Sequence, residues 1–207
     1  KNRTSPIMKI SRPIITGILP RNRLFKALDS FRTRPVLWVS GPGGSGKTTL
    51  IASWIEARKL PCIWYQADEG DGDIATFFYY MGLAAKKASP RFRRALPLLK
   101  PEYLLDVATF SLRYFEELYS RLKPPFVLVI DNYQDVSADT NFHEIISTGL
   151  SLLPEGIITV LISRTDPLPA MARLRANGQM HVLGWSDLIF DAEEASSLVS
   201  LKGTKGF

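Results

Sequence analysis

Four uninterrupted apolar runs punctuate the chain, and apolar residues recur at helical spacing between them. The runs are Val36-Leu37-Trp38-Val39, Cys62-Ile63-Trp64-Tyr65-Gln66-Ala67, Phe126-Val127-Leu128-Val129-Ile130 and Ile157-Ile158-Thr159-Val160-Leu161-Ile162. The third has no polar alternation, which predicts a strand covered on both faces. Leu24, Phe25, Leu28 and Phe31 predict a short amphipathic helix, as do Leu50, Ile51, Trp54 and Ile55 after the first run. Asp73 is a good N-cap for a helix carrying Ile74, Phe77, Phe78, Met81 and Ala85. A long helix is predicted from about Glu102 to Leu122, with Leu105, Ala108, Leu112, Phe115 and Tyr119 on one face. Another carries Phe142, Ile145, Ile146 and Leu150. Strands alternating with helices at these spacings imply a three-layer α/β domain with a mainly parallel sheet.

The connections carry their own signals. Residues 1–20 contain Pro6, Pro13 and Pro20, which favour extended backbone. Residues 88–101 hold three prolines and Arg91-Phe92-Arg93-Arg94, an exposed connection by this reading. At 45% hydrophobic and 22% charged residues, the chain has the composition of an ordinary soluble domain. No apolar run approaches the ~20 residues that cross a bilayer, so no membrane association is expected. The lone Cys62 excludes an internal disulfide and fits a cytoplasmic setting. The start without Met, and a helix beginning near the end, lead us to expect part of a longer protein. The net charge of +6 is uneven: residues 1–34 hold nine Lys or Arg against Asp29 alone. Such an arm could bind nucleic acid or lie near an anionic ligand, but no basic stripe interleaved with aromatics follows it.

The chemistry is concentrated after the first run. Gly41-Pro42-Gly43-Gly44-Ser45-Gly46-Lys47-Thr48-Thr49 has the GxxxxGK[ST] spacing of a Walker A phosphate loop, between a predicted strand and a predicted helix. Glycines let successive backbone N–H groups face one anion, and the helix N-terminus adds a positive end. Lys47 would reach the β- and γ-phosphates of a nucleotide and Thr48 would ligate Mg²⁺. Asp131 ends the most apolar run, the Walker B form, and would also support the Mg²⁺. Arg164 ends the fourth run, where a guanidinium could sense a γ-phosphate. Ligands in such sheets bind at the carboxyl ends of the strands, where all of these residues converge. The acid that often orients water beside Walker B is Asn132 here; Asp135, Asp68 and Glu69 are the alternatives. His143 and His181 read as structural. The organisation predicted is a basic segment and short helix packing on the core over 1–34. A P-loop NTPase domain follows over 35–190, and the start of a further helix over 191–207.

Several segments together resemble one family. They are Ser11-Arg12-Pro13 with Arg21-Asn22-Arg23-Leu24, the phosphate loop, Trp54, and Trp64-Tyr65-Gln66-Ala67-Asp68-Glu69-Gly70-Asp71. Val129-Ile130-Asp131-Asn132-Tyr133, Leu161-Ile162-Ser163-Arg164, and Ala172–Gly178 leading to Leu188-Ile189-Phe190 and Glu193-Glu194-Ala195 continue the match. This pattern is similar to the ATPase module of STAND-class signal-transduction proteins, in particular the large ATP-binding LuxR-type transcriptional regulators of the maltose-regulon-activator kind. The resemblance implies a regulatory switch that binds ADP or ATP with Mg²⁺ and self-associates in the ATP state. It also implies DNA binding through a C-terminal domain outside these residues. Carried over by position, Lys47, Thr48 and Thr49 hold phosphates and metal, Asp131 supports the metal, and Arg164 is the sensor arginine. The Pro13 to Arg23 stretch, with Pro13 and Arg21, lies on the base side. The family commonly has a second acid where this chain has Asn132, which implies slow hydrolysis at most. A phosphate-loop kinase or a nucleic-acid-stimulated ATPase stays open as the alternative.

Overall fold

The computed structural model describes residues 6–90 and 94–203. Strands β1 (Val36–Ser40), β2 (Cys62–Gln66), β3 (Phe126–Asp131), β4 (Ile157–Ser163) and β5 (Met180–Leu183) form one parallel sheet in the order β2-β3-β4-β1-β5. The helices in chain order are α1 (Pro6–Lys9), α2 (Asn22–Phe31), α3 (Lys47–Ala57), α4 (Ile74–Ala88) and α5 (Val107–Ser120). They continue with α6 (Phe142–Ser151), α7 (Ala172–Ala176), α8 (Trp185–Leu188) and α9 (Ala192–Gly203). Every residue of β1, β3 and β4 is buried, which is why those runs lack polar alternation.

Alternate residues of each strand feed two separate cores, as the two-residue period requires. Val36, Trp38, Leu128 and Ile130 pack with Phe77, Phe78, Tyr114, Phe115 and Phe142 on one face. Leu37, Val39, Val127 and Val129 pack with Leu24, Phe25, Ile51 and Trp54 on the other. The result is the three-layer α/β arrangement expected from the pattern. Asp73 caps α4, its carboxylate accepting from the Ala75 N–H at 3.1 Å. Among the described residues, no helix is long and apolar enough to cross a membrane.

The structure corrects two expectations. The helix predicted from Glu102 begins at Val107, because Asp106 accepts from the Thr109 N–H and caps it there. Its buried face carries Phe110, Tyr114, Phe115, Leu118 and Tyr119, while Leu105 is 97% exposed and Leu112 39%. Two apolar stripes compete at helical spacing, and the one richer in aromatic area wins the core. The sheet also has a fifth strand, Met180–Leu183, at its edge beside β1. Only Met180 and Leu183 are buried, so no apolar run marks it; His181 stacks on Phe31 with ring centroids 3.4 Å apart.

Four cations of the basic N-terminal segment face carboxylates of the chain, while Lys26, Arg32 and Arg34 are exposed. Lys9 is buried 2.8 Å from both Asp68 and Asp71, and Arg12 faces Glu56 at 3.9 Å. Arg21 and Arg23 pair with Glu194, and Arg23 with Asp191 as well. These four cations are therefore not a free basic surface. Lys1 and Arg3, the Arg91-Phe92-Arg93 part of the arginine cluster, and residues 204–207 lie outside the described residues.

Candidate nucleotide site

The site is built where β1 gives way to α3. Gly44 and Gly46 have φ of +78° and +81°, a left-handed backbone that costs any other L-residue about 1–2 kcal/mol. Gly41 has no room for a side chain: a Cβ there would stand 3.2 Å from Leu188 Cδ1. The loop thus curls tightly and hands over to α3, whose first helical bond runs from the Leu50 N–H to the Gly46 carbonyl at 2.8 Å. The earlier amides of α3 have no helical partners and form the positive end of the helix.

Lys47 is the first residue of α3 and is only 8% exposed. Its Nζ donates to the Gly41 carbonyl at 2.6 Å, the Pro42 carbonyl at 2.9 Å and Ser45 Oγ at 3.2 Å, so the ammonium lies across the loop. Burial lowers its pKa below the usual lysine value, opposed by the Asp131 carboxylate and reinforced by Arg164. Thr48 Oγ1 donates to Asp131, 3.0 Å from Oδ2 and 3.2 Å from Oδ1, across 83 residues of sequence. Asp131 is 3% exposed, and burial raises its pKa against hydrogen bonds from Thr48 and from the Asn132 N–H at 2.9 Å. A hydroxyl and a buried carboxylate, with neither sulfur nor imidazole in the set, match the oxygen preference of Mg²⁺.

Arg164 leaves the end of β4 exposed to solvent. Its Nε lies 4.0 Å from the point a Cβ on Gly43 would occupy, so it faces the loop. Asn132 adopts the left-handed conformation, φ 57° and ψ 35°, and starts a single 3₁₀ turn over Tyr133–Asp135. The structure therefore brings Lys47, Thr48, Asp131 and Arg164 together around the glycine loop.

A cleft of about 220 Å³ opens on the other side of the loop. Ser45, Gly46 and Thr49 form one wall, Gly17–Leu19 and Arg21 the second, and Phe190 and Leu198 the third. Arg21 is 8% exposed, and its Nη2 meets Glu194 Oε2 at 2.7 Å while its Nε meets Oε1 at 3.2 Å. It also donates to the Leu188 carbonyl at 2.8 Å and stacks over the Phe190 ring, 4.2 Å from its centroid. Arg21 thus builds the cleft by tying the N-terminal segment to α9. Pro13 is not among the residues lining it, and the segment reaches the cleft further on, at Gly17–Leu19.

With that geometry in view, comparison with known proteins becomes informative. No family model matches the chain. Over 190 residues, 90% of its length, it is 33% identical to the HTH-type transcriptional regulator MalT of Yersinia pestis (strain Pestoides F). It is also 33% identical, over 189 residues, to the regulator of that name from Serratia proteamaculans (strain 568). The chain is related to the MalT-type regulators. It spans about a fifth of their length, 21% of each. Among solved structures, the Walker-type ATPase paby2304 of Pyrococcus abyssi superposes with a TM-score of 0.57 at 15% identity, over 88% of this chain and 57% of that one. That likeness establishes the fold as that of the P-loop ATPases.

Within this MalT-related chain, the acidic turn after β2 is structural. Asp68 caps it by accepting from the Gly70 N–H at 2.9 Å, and also holds Lys9. Asp71 is buried, taking Lys9 Nζ at 2.8 Å and the Tyr65 hydroxyl at 2.6 Å. Asp68 is therefore committed away from the loop, and the exposed Asp135 is held by Gln134 Nε2 at 2.8 Å. His143 is structural: its Nδ1 lies 3.0 Å from the Tyr133 hydroxyl and its Nε2 3.0 Å from the Ser137 carbonyl. Sequence reasoning left out Gln134 and Leu198 as site residues, and took Phe190 and Glu194 as family markers only. All four act through contacts distant in sequence, so no local spacing marks them.

Proposed function

We propose that this chain is the ATP/ADP-binding switch domain of a signal-responsive transcriptional activator of the MalT type, a STAND-class cytoplasmic module with slow Mg²⁺-dependent hydrolysis at most. The observation that carries the reading is the Thr48 hydroxyl on the buried Asp131 carboxylate, with Lys47 beside it and Arg164 across the loop. The left-handed glycines and the open amides of α3 would receive the phosphates, with Thr49 beside them, and Lys47 would exchange its loop carbonyls for phosphate oxygens. Thr48 and Asp131 would hold Mg²⁺, which supplies charge neutralisation to the phosphates when bound. Arg164 would distinguish ATP from ADP, since only a γ-phosphate reaches across the loop. The cleft walled by Gly17–Leu19, Arg21 and Phe190 would take the base. Asn132 stands where a proton acceptor is needed and has none to offer, so the ATP state is long-lived. Self-association in that state, inducer sensing and DNA binding belong to the whole regulator.

A phosphate-loop kinase or a nucleic-acid-stimulated ATPase is the weaker reading. A nucleic-acid track would need free cations, and Lys9, Arg12, Arg21 and Arg23 face carboxylates of this chain. Isothermal calorimetry with ADP and ATP, with and without Mg²⁺, tests the proposal. The folded wild-type protein should bind both. Lys47→Ala should lose at least ~100-fold in affinity, or about 3 kcal/mol, while keeping its melting temperature. A folded wild-type protein that binds neither nucleotide would overturn the reading.

A further inference from the structure

β3 and β4 end at different heights. Their last registered pair is Ile130 with Leu161, yet β4 runs on to Ser163, and Ser163 still pairs with Ser40 of β1. Beyond that point β3 supplies no strand partner on its side. The backbone N–H of Arg164 instead donates to the side-chain Oε1 of Gln134 at 2.9 Å. Gln134 is the middle residue of the 3₁₀ turn that follows Asp131, so the hydrogen bond ties the Walker B turn directly to the arginine.

Both ends of this tie are rigid. Tyr133, one residue before, is buried edge-on against Trp38 with centroids 5.1 Å apart and is joined to His143. Asn132 fixes the chain direction through its left-handed backbone and its N–H on Asp131. The Gln134 amide is oriented by its own donation to Asp135 at 2.8 Å, which leaves Oε1 facing β4. On the far side, Trp38 Nε1 donates to the Thr165 carbonyl at 3.0 Å and Ser40 Oγ to Asp166 at 3.3 Å. The Arg164 backbone is thus held by Gln134, and the two residues that follow it are held by β1.

We infer that Gln134 is a positioning residue: by accepting the Arg164 N–H it aims the guanidinium at the loop and so sets the protein's preference for ATP over ADP. The inference rests on the nucleotide-switch reading above. It also makes the Asp131 turn and the γ-phosphate reader one mechanical unit, so that displacement at the metal side moves the arginine. Gln134 also holds Asp135, so the double-mutant comparison with Arg164 separates the two routes.

The test is a double-mutant cycle on binding, using ADP and a non-hydrolysable ATP analogue with Mg²⁺. Gln134→Met keeps the side-chain length and removes the acceptor. In the wild-type background it should lower the ratio of analogue to ADP affinity two- to tenfold, the range of one hydrogen bond, with ADP affinity unchanged. In the Arg164→Ala background, which keeps the backbone N–H and lacks the guanidinium, Gln134→Met should change the ratio by less than twofold. An equal shift in both backgrounds, or none in the wild type while Arg164→Ala shifts the ratio, would overturn the role of Gln134 and leave the switch reading standing. Absence of nucleotide binding in the wild type would instead defeat the switch reading, and this inference with it.

Discussion

The two sides of the glycine loop are built on different principles. On the phosphate side, three strand ends deliver the groups: the loop from Gly44 to Thr48 after β1, Asp131 at the end of β3 and Arg164 just after β4. Their places follow from the sheet. On the base side only the same loop, through Ser45, Gly46 and Thr49, comes from a strand end. The cleft is walled by Gly17–Leu19 and Arg21 from one end of the chain and Phe190 and Leu198 from the other, clamped by an ion pair spanning 173 residues. The phosphate side is framed by the sheet, whereas the base side is closed by the contacts of α9. On the switch reading proposed above, this asymmetry would let one half hold phosphate while the integrity of the other reports whether α9 is docked.

Breaking the base side should have the largest effect on stability. Arg21→Ala leaves the buried Glu194 carboxylate with only the longer contacts from Arg23 at 3.3 Å and the Asp191 N–H at 3.2 Å, and breaking such a buried pair costs about 3 kcal/mol. For a domain of this size, a melting temperature roughly 6–12 °C lower is expected by calorimetry. The same pair predicts a pH dependence. Burial raises the Glu194 pKa, but the Arg21 guanidinium, the Asp191 N–H and Arg23 together hold the carboxyl below its usual value. A depressed carboxyl contributes stability above its unfolded pKa and loses it as pH falls through the folded one. Acid should therefore release α9, read through Trp185 fluorescence, and Arg21→Ala should weaken that transition, with Arg23 and the Asp191 N–H left to hold the carboxylate.

The phosphate side can be sharpened rather than broken. Asn132→Asp restores an acid without disturbing the backbone, because Asp tolerates the left-handed region almost as well as Asn. Phosphate release at saturating ATP should rise about 100-fold, the lower end of what one positioned acid or base supplies. A rate unchanged by the substitution would show that Asn132 is not what limits hydrolysis.

The smallest effect isolates what the phosphate side costs the fold. Asp131 holds a carboxylate at 3% exposure, so Asp131→Asn removes a buried charge while keeping an acceptor for Thr48. The nucleotide-free protein should gain about 1 kcal/mol, or roughly 2–4 °C in melting temperature, while losing the effect of Mg²⁺ on nucleotide binding. A melting temperature that falls would mean that the carboxylate is a structural anchor.

Much of this was legible before any coordinates. The three central strands, β1, β3 and β4, were written as runs almost free of polar residues because burial on both faces leaves little place for them, Thr159 being the buried exception. The helix over 107–120 was harder, since two stripes at the same spacing compete and only the partner surface decides which is buried. β5 could not be found, because an edge strand needs apolar residues at just two of its four positions. At the site, the loop, Asp131 and Arg164 were readable from their place at strand ends, while Asp68 was a candidate acid until Lys9 claimed it.

The sequence by itself determined the sheet, the phosphate loop and the identity of the groups at the strand ends, because each depends on residues within a few positions of one another. Only the tertiary structure decided how those ends are joined. The Arg21–Glu194 clamp, the hold of Lys9 on Asp68 and Asp71, and the bond from the Arg164 N–H to Gln134 all pair groups far apart in the chain. Local spacing carries no record of such pairs; they exist because the sheet order brings distant segments to the same edge, where buried charges and unpaired backbone groups must find partners.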